Sequence, residues 1–138
     1  MSEHNKQLVR RFYEEVENGH NLAVVDELFA PEFRDVYNSA SPFAVAGIEG
    51  VKKLAVGLHE ALDLSIRIED LIAEGDRVVA RIACGITNKT PFLGHPPTGR
   101  RFTVQGVEIF RVVAGKLLER EVFIDMMPVM LELGIVKK

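Results

Sequence analysis

The chain is predicted to be an α+β protein in which helices come first and a meander of antiparallel strands follows. Apolar residues recur at helical spacing as far as Leu62, whereas from Leu64 onward they alternate with polar residues. Tight turns at Glu74-Gly75-Asp76 and Ala114-Gly115 separate the long strand-like stretches. This order of elements predicts helices packed on one face of a curved sheet.

Three helices are predicted before the strands, and each has an apolar stripe. Gly19 follows the first helix, where a left-handed cap is expected, and Asn21 is placed to cap the second. Pro31 ends the second helix, and a short strand follows from Phe33 to Tyr37. The predicted helices are about His4–Asn18, Leu22–Phe29 and Ile48–Leu62.

The second half of the chain reads as four strands and a final helical turn. In the first hairpin a two-residue turn at Gly75-Asp76 pairs Asp70 with Arg81, which we interpret as a structural ion pair. A proline-rich loop lies between the second and third of these strands. The predicted strands are Leu64–Glu69, Arg77–Thr87, Phe102–Val113 and Lys116–Asp125, and the final turn is Pro128–Leu133.

Composition narrows the class of protein. A length of 138 residues predicts a single domain over residues 1–138. The net charge of −3 argues against a nucleic-acid partner, and no apolar run is long enough to cross a membrane. The N-terminus has no apolar signal stretch, and the only cysteine, Cys84, cannot form an internal disulfide. We therefore expect a cytoplasmic protein.

Metal, nucleotide and nucleophilic chemistry have no support in the sequence. The four histidines lack metal-ligand spacing, and neither a nucleophile elbow nor a phosphate-binding loop is present. We expect no metal and no cofactor. The chemistry that remains is proton transfer by carboxylates and tyrosine.

Acidic residues on the C-terminal hairpin are the strongest functional signal. With a two-residue turn at Ala114-Gly115, Glu108 lies opposite Glu121, and Phe110 and Asp125 share their face. Facing carboxylates can share a proton, as pairs in acid/base sites do. The alternative is that this face is structural and contacts water, a partner subunit or an arginine. A turn one residue longer would shift the pairing of Glu108 with Glu121.

Asp125 ends the last strand beside apolar side chains. Phe123, Met126 and Met127 would partly desolvate its carboxylate, which suits a proton-transfer group. The alternative is that Asp125 caps the final turn.

Several segments spanning nearly the whole chain resemble the SnoaL-like polyketide cyclase branch of the nuclear transport factor 2-like superfamily. The resemblance implies a cone-shaped half-barrel, an apolar pocket between sheet and helices for a small hydrophobic ligand, and a homodimer through the sheet. Relatives include ring-closing aldol cyclases, ketosteroid isomerase, epoxide hydrolases, dehydratases and non-catalytic binding proteins. The matching segments are Asn5–Tyr13, Asp26–Phe33, Gly47–Val51, Glu69–Asp76, Pro96–Arg100 and Ile109–Arg111 before Gly115-Lys116.

The resemblance also implies roles for particular residues. Asp125 corresponds to an acid/base near the end of the last strand, and Asp35 and Tyr13 correspond to the proton-shuttling carboxylate and hydroxyl donor of ketosteroid isomerase. Tyr37 and Phe92 are expected at the mouth of the pocket. The alternatives are that Tyr13 is a core aromatic residue with its hydroxyl at the rim and that Asp35 is solvated.

The sequence therefore predicts a cofactor-free acid/base enzyme for a hydrophobic carbonyl compound. A non-catalytic ligand-binding or dimeric module is the alternative, because the histidine and His-Trp pair common in relatives are replaced by Val36 and by Arg120-Glu121.

Overall fold

The computed structural model describes residues 2–36, 44–92 and 94–138. Its helices are α1 (Ser2–Arg11), which continues as a π-helical segment (Phe12–Asn18), α2 (Ala23–Leu28), α3 (Gly47–Ala61) and α4 (Met127–Glu132). Its strands are β1 (Phe29–Asp35), β2 (Leu62–Glu74), β3 (Arg77–Asn88), β4 (Phe102–Val113) and β5 (Lys116–Ile124).

The five strands form one curved, unclosed sheet in the order β1-β5-β4-β3-β2. Strand β1 runs parallel to β5, and the other neighbours are antiparallel. The helices pack on one face, and the core lies between that face and the helices. The predicted α+β half-barrel is confirmed. None of the helices in the described ranges is both long and apolar enough to cross a membrane.

The first predicted helix has two parts, because its last two turns are π-helical. The wider winding keeps Tyr13 and Glu17 buried on the same side, four residues apart. Gly19 does not adopt the left-handed conformation that we expected; its φ is −88°, and His20 has the positive φ instead. Gly19 is needed for space, because a Cβ there would lie 2.7 Å from the Glu15 carbonyl oxygen.

The second helix ends one residue earlier than predicted, and β1 begins directly at Phe29. Pro31 therefore lies within a strand. This is possible because β1 is at the edge of the sheet, where a missing N–H costs no ladder hydrogen bond. Tyr37, the predicted end of this strand, lies outside the described residues.

The opposite edge of the sheet, β2, is covered in part by a side chain. The Asn18 carboxamide donates to the Ile66 carbonyl oxygen at 2.8 Å and accepts from the Ile66 N–H at 2.7 Å. It therefore imitates a neighbouring strand at one residue. The adjoining hairpin has the predicted register, in which Asp70 pairs with Arg81 and accepts its Nη2 hydrogen bond at 2.8 Å.

The C-terminal hairpin departs from the predicted register. Its turn at Ala114-Gly115 has two residues as predicted, and both have positive φ. A bulge then leaves Leu118 without a partner, so that Arg111 pairs with Glu119. Every later pairing is displaced by one residue, and a displacement of one reverses the face of each side chain.

Candidate functional site

Five polar side chains lie inside the otherwise apolar core, between the helices and the sheet. They come from the π-helical segment, β1, β4 and β5, and we call them the interior cluster. Their exposed fractions are only 1% to 9%. A buried polar group is costly unless it is paired, so this arrangement needs a specific network of contacts. The members are Tyr13, Glu17, Asp35, Glu108 and Arg120.

Arg120 and Asp35 form the anchor of the interior cluster. The Arg120 guanidinium donates from Nε to Asp35 Oδ1 at 2.7 Å and from Nη2 to Oδ2 at 3.0 Å. Asp35 Oδ2 also accepts from the Val45 N–H at 2.9 Å. This two-pronged geometry holds the guanidinium in one orientation. Burial works against the charge of Arg120, but Glu108 and Asp35 outweigh it and keep its pKa above the ordinary value.

Tyr13 and Glu108 form the second pair. The Tyr13 hydroxyl donates to Glu108 Oε1 at 2.8 Å, and Arg120 Nη1 lies 3.7 Å from the same oxygen. Burial, and then the negative charge of Glu108, raises the pKa of Tyr13 well above its ordinary value. Tyr13 is therefore a neutral hydrogen-bond donor. The carboxyl group of Glu108 lies beside one neutral group, the Tyr13 hydroxyl, and one cation, the Arg120 guanidinium.

Glu17 is the third carboxyl group of the interior cluster. Burial, followed by the negative charge of Glu108, raises its pKa to about 7, although Arg120 acts in the other direction. Its carboxyl group forms no hydrogen bond or ion pair within the described parts of the chain. Glu17 is therefore protonated for much of the time at neutral pH.

Aromatic side chains surround the interior cluster. Phe110 is fully buried and meets the Tyr13 ring edge-to-face at 6.2 Å, and the Arg120 guanidinium lies 5.8 Å from the centre of the Phe33 ring. Cys84 is also buried nearby, and burial together with Glu108 and Glu17 raises its thiol pKa to about 12. The thiol is thus protonated and unreactive.

The structure does not place Glu108 opposite Glu121. Because of the bulge, Glu108 pairs with Val122 and points into the core, while Glu121 pairs with Ile109 on the outer face of the sheet. Glu121 there lies 3.6 Å from Arg77. The predicted facing pair of carboxylates is wrong, and Arg120 occupies the interior position that we expected for Glu121.

Asp125 lies apart from the interior cluster. It is exposed, and its Oδ1 accepts a hydrogen bond from the Met127 N–H at 3.1 Å, as in the capping alternative. Asp125 also borders a concavity of about 500 Å³ whose walls include Arg81, Val107 and Phe123. Its carboxylate is therefore open to solvent and outside the interior cluster.

The residues predicted to contact a ligand fall into several groups. Phe110 is in the core beside Tyr13, and Phe92 and Met126 are partly buried against the same core. Phe123 and Met127 are exposed. Tyr37 lies outside the described residues.

Sequence reasoning did not identify Glu17 or Arg120 as members of the site. The signal for Glu17 was its position four residues after Tyr13 and next to Val16, a carboxylate at the edge of an apolar helical stripe. No sequence signal locates the bulge that turns Arg120 inward. Among residues 2–36, 44–92 and 94–138, no group of three histidine, cysteine or acidic side chains is arranged to hold a metal ion.

The fold and the interior cluster define a class of small half-barrel proteins with ionisable groups enclosed between sheet and helices. Residues 7–133 match the family model described as SnoaL-like polyketide cyclase. The chain belongs to this family. No curated protein matches the sequence.

Solved structures agree with this assignment. The chain is similar to a protein from Jannaschia sp. CCS1 described as a SnoaL-like polyketide cyclase, with 29% identity, coverage of 99% of this chain and 95% of that one, and a TM-score of 0.83. It is also similar to TsrD from Streptomyces laurentii, with 28% identity, coverage of 99% and 98%, and a TM-score of 0.84. AclR from Streptomyces galilaeus, described as a hydroxylase, has 27% identity, coverage of 99% and 100%, and a TM-score of 0.82.

Proposed function

We propose that the protein is a cofactor-free acid/base enzyme that moves a proton beside the carbonyl group of a hydrophobic, uncharged substrate. Cyclases, isomerases and dehydratases share this step. The observation that carries the proposal is the Tyr13–Glu108 hydrogen bond of 2.8 Å in a core that also holds a carboxyl group with a pKa of about 7. Displaced pKa values of buried groups are concentrated at functional sites.

Glu108 is the base in this proposal. It is the interior carboxylate that Tyr13 contacts, whereas both oxygens of Asp35 are engaged by Arg120. Glu108 takes the proton from the carbon beside the carbonyl, and the electron pair of the broken C–H bond forms the C=C bond of an enol or enolate. Return of a proton to carbon completes an isomerisation or exchange, and attack by that carbon on a second carbonyl gives ring closure.

The charges of the interior cluster favour an uncharged substrate. Arg120 is its only cation within the described residues, and Arg120 is already shared by Asp35 and Glu108. An anionic ligand would therefore meet an excess of negative charge and no free counter-ion. The similarity to proteins described as polyketide cyclases supports a carbonyl-rich substrate class.

Hydrogen–deuterium exchange tests the proposal without knowledge of the natural substrate. Exchange at the carbon beside the carbonyl of 2-tetralone in D₂O is followed by proton NMR; deuterium enters when the proton on Glu108 is exchanged before it returns. We expect the wild type to accelerate exchange and Glu108→Gln to lower the rate about 100-fold, a typical contribution of a general base.

Two variants serve as comparisons in the same assay. Glu121→Gln changes the carboxylate on the outer face of the same hairpin and should leave the rate unchanged. Asp125→Asn tests the carboxylate at the concavity and should also have no effect. The proposal fails if Glu108→Gln exchanges as fast as the wild type, and a loss confined to Asp125→Asn would transfer the base to that position.

The second candidate function is a non-catalytic ligand-binding protein. It is favoured by the close packing of the interior cluster, whose side chains are almost wholly covered, and by the internally satisfied Arg120–Asp35 pair. Saturable binding of 2-acetylnaphthalene with no acceleration of 2-tetralone exchange would establish it. Weak binding of 2-naphthoate, which has the same rings and a carboxylate, is expected in either case.

Assembly and location complete the proposal: a cytoplasmic homodimer that associates through the outer face of the sheet. Its support is the apolar surface on that face, where Ile72 is 61% exposed and Val107 and Ile109 are half-buried. Light scattering after gel filtration should give twice the mass of the chain, and Val107→Glu should shift the protein towards monomer. A monomeric mass at all concentrations would contradict it.

A further inference from the structure

Glu17 differs from the other carboxyl groups of the interior cluster in having no partner among the described residues. Asp35 is held by Arg120 and a backbone N–H, and Glu108 is held by Tyr13 and Arg120. Glu17 is 8% exposed, yet its carboxyl group has no hydrogen bond in the described parts of the chain. Because no group in residues 2–36, 44–92 and 94–138 binds this buried carboxyl, it is available to a ligand.

The small exposed area of Glu17 includes its carboxyl oxygens. Within the described ranges, no fully buried side-chain oxygen lacks a hydrogen-bond partner, so the unpartnered oxygens of Glu17 cannot be fully covered. The carboxyl oxygens of Glu17 therefore border space that a water molecule can reach, and a proton lost to a ligand can be replaced from water.

The surroundings of Glu17 favour its neutral form. Glu108 and Arg120 act on the pKa of Glu17, and Glu17 in turn acts on the pKa of Tyr13 and Cys84; Arg120 is the only cation among these groups. Tyr13 lies one helical turn before it, and His59 of α3 contacts the backbone carbonyl of Glu17, not its carboxyl group. Burial and Glu108 thus outweigh Arg120.

We propose that Glu17 is the proton donor of the site and gives its proton to the substrate carbonyl oxygen while Glu108 takes the proton from the neighbouring carbon. This inference rests on the proposed function, which supplies the base. It assigns separate roles to two carboxyl groups of the interior cluster: Glu17, which has no partner in the described parts of the chain, and Glu108, which Tyr13 and Arg120 contact.

The step balances without a co-reactant. The C–H bond breaks, its electron pair forms C=C, and the π electrons of C=O bind the proton that leaves Glu17. The products are a neutral enol, an ionised Glu17 and a protonated Glu108. Reversal restores both groups, and Glu17 also recovers a proton directly from water.

The protonation state of Glu17 is tested first and needs no substrate. Infrared difference spectra recorded between pH 4 and pH 9 should show a protonated carboxyl group that ionises near pH 7. The signal should be absent from Glu17→Gln and present in Glu14→Gln, a matched change at an exposed position of the same segment. Ionisation of Glu17 below pH 5 would overturn the inference, whatever the activity.

The exchange assay tests the role of that proton. In the wild type the rate should fall above about pH 7, as Glu17 ionises. Glu17→Gln should lower the rate about 100-fold at pH 6, where Glu17 is mostly protonated, and abolish the fall at high pH, because a general acid contributes about 10²–10⁴-fold. Glu17→Asp should recover part of the rate together with the fall.

The two proposals fail in different ways. If Glu108→Gln lowers exchange but Glu17→Gln keeps the wild-type rate and pH profile, Glu17 is not the donor and the enzyme proposal stands. If the wild type does not accelerate exchange at all, the enzyme proposal fails. Circular dichroism of each variant establishes that it is folded, and Glu17→Asp covers the case in which glutamine disturbs the packing.

Discussion

The burial of Glu17 predicts a pH-dependent stability that Glu17→Gln should abolish. In the fold its pKa is about 7, whereas the ordinary value is 4.5. Below about pH 4.5 the carboxyl group is protonated in both the folded and unfolded chains and does not disfavour folding. As the pH rises to about 7 the unfolded chain ionises first, so the stability that Glu17 contributes is progressively lost.

The expected size of this loss follows from the two pKa values. A difference of one pKa unit corresponds to about 1.4 kcal/mol, so the change from 4.5 to about 7 corresponds to about 3 kcal/mol between pH 4 and pH 8. Glutamine has a similar shape and does not ionise. The unfolding free energy of Glu17→Gln relative to the wild type should therefore rise by about 3 kcal/mol over this range.

Urea unfolding followed by circular dichroism measures the effect, since the chain has no tryptophan. Glu14→Gln is the matched control, because Glu14 is exposed on the same segment and its substitution should leave the pH dependence unchanged. If the difference between Glu17→Gln and the wild type stays constant within about 0.5 kcal/mol from pH 4 to pH 8, the burial argument is refuted.

Three further changes test the packing. Arg120→Met leaves the buried carboxyl groups of Asp35 and Glu108 without their cation. It should lower the unfolding free energy measured in urea by about 3–5 kcal/mol, and a loss below about 1 kcal/mol would contradict a buried ion pair. Asn18→Ala removes two hydrogen bonds to Ile66 and should cost about 1 kcal/mol and speed amide exchange at Ile66, whereas unchanged exchange would show that the edge is not covered. Gly19→Ala should cost about 1–3 kcal/mol of unfolding free energy, because the new Cβ would meet a backbone oxygen. A Cβ at Gly57 would meet nothing within 4 Å, so Gly57→Ala should stabilise the fold by about 0.5–1 kcal/mol in the same measurement. Equal effects of the two substitutions would show that the space around each glycine does not matter.

Local patterns were sufficient for most of the secondary structure. The change from helical to alternating spacing near Leu62 lies where α3 passes into β2, and β4 has the predicted bounds. The two tight turns also form as predicted, since glycine at a position of positive φ is a local requirement. These features depend on neighbouring residues in the chain and can be predicted from them.

The site was less predictable. Tyr13, Asp35 and Glu108 were identified as candidates, and the structure brings them into one network. The relation between Glu108 and Glu121 was wrong, because one extra residue at Leu118 changes which side chains face inward. A bulge is a property of two paired strands, and the local sequence of β5 alone does not predict it.

The sequence by itself determined the class of fold, the order of its elements and the presence of carboxylates on strands, because periodicity, turns and composition act over short stretches of chain. Only the tertiary structure decided which carboxylates meet. Arg120 became an interior cation through the register of β5, and Glu17 acquired its raised pKa through burial beside Glu108. Burial and electrostatic interaction depend on distances between residues far apart in the chain, and those distances exist only after folding.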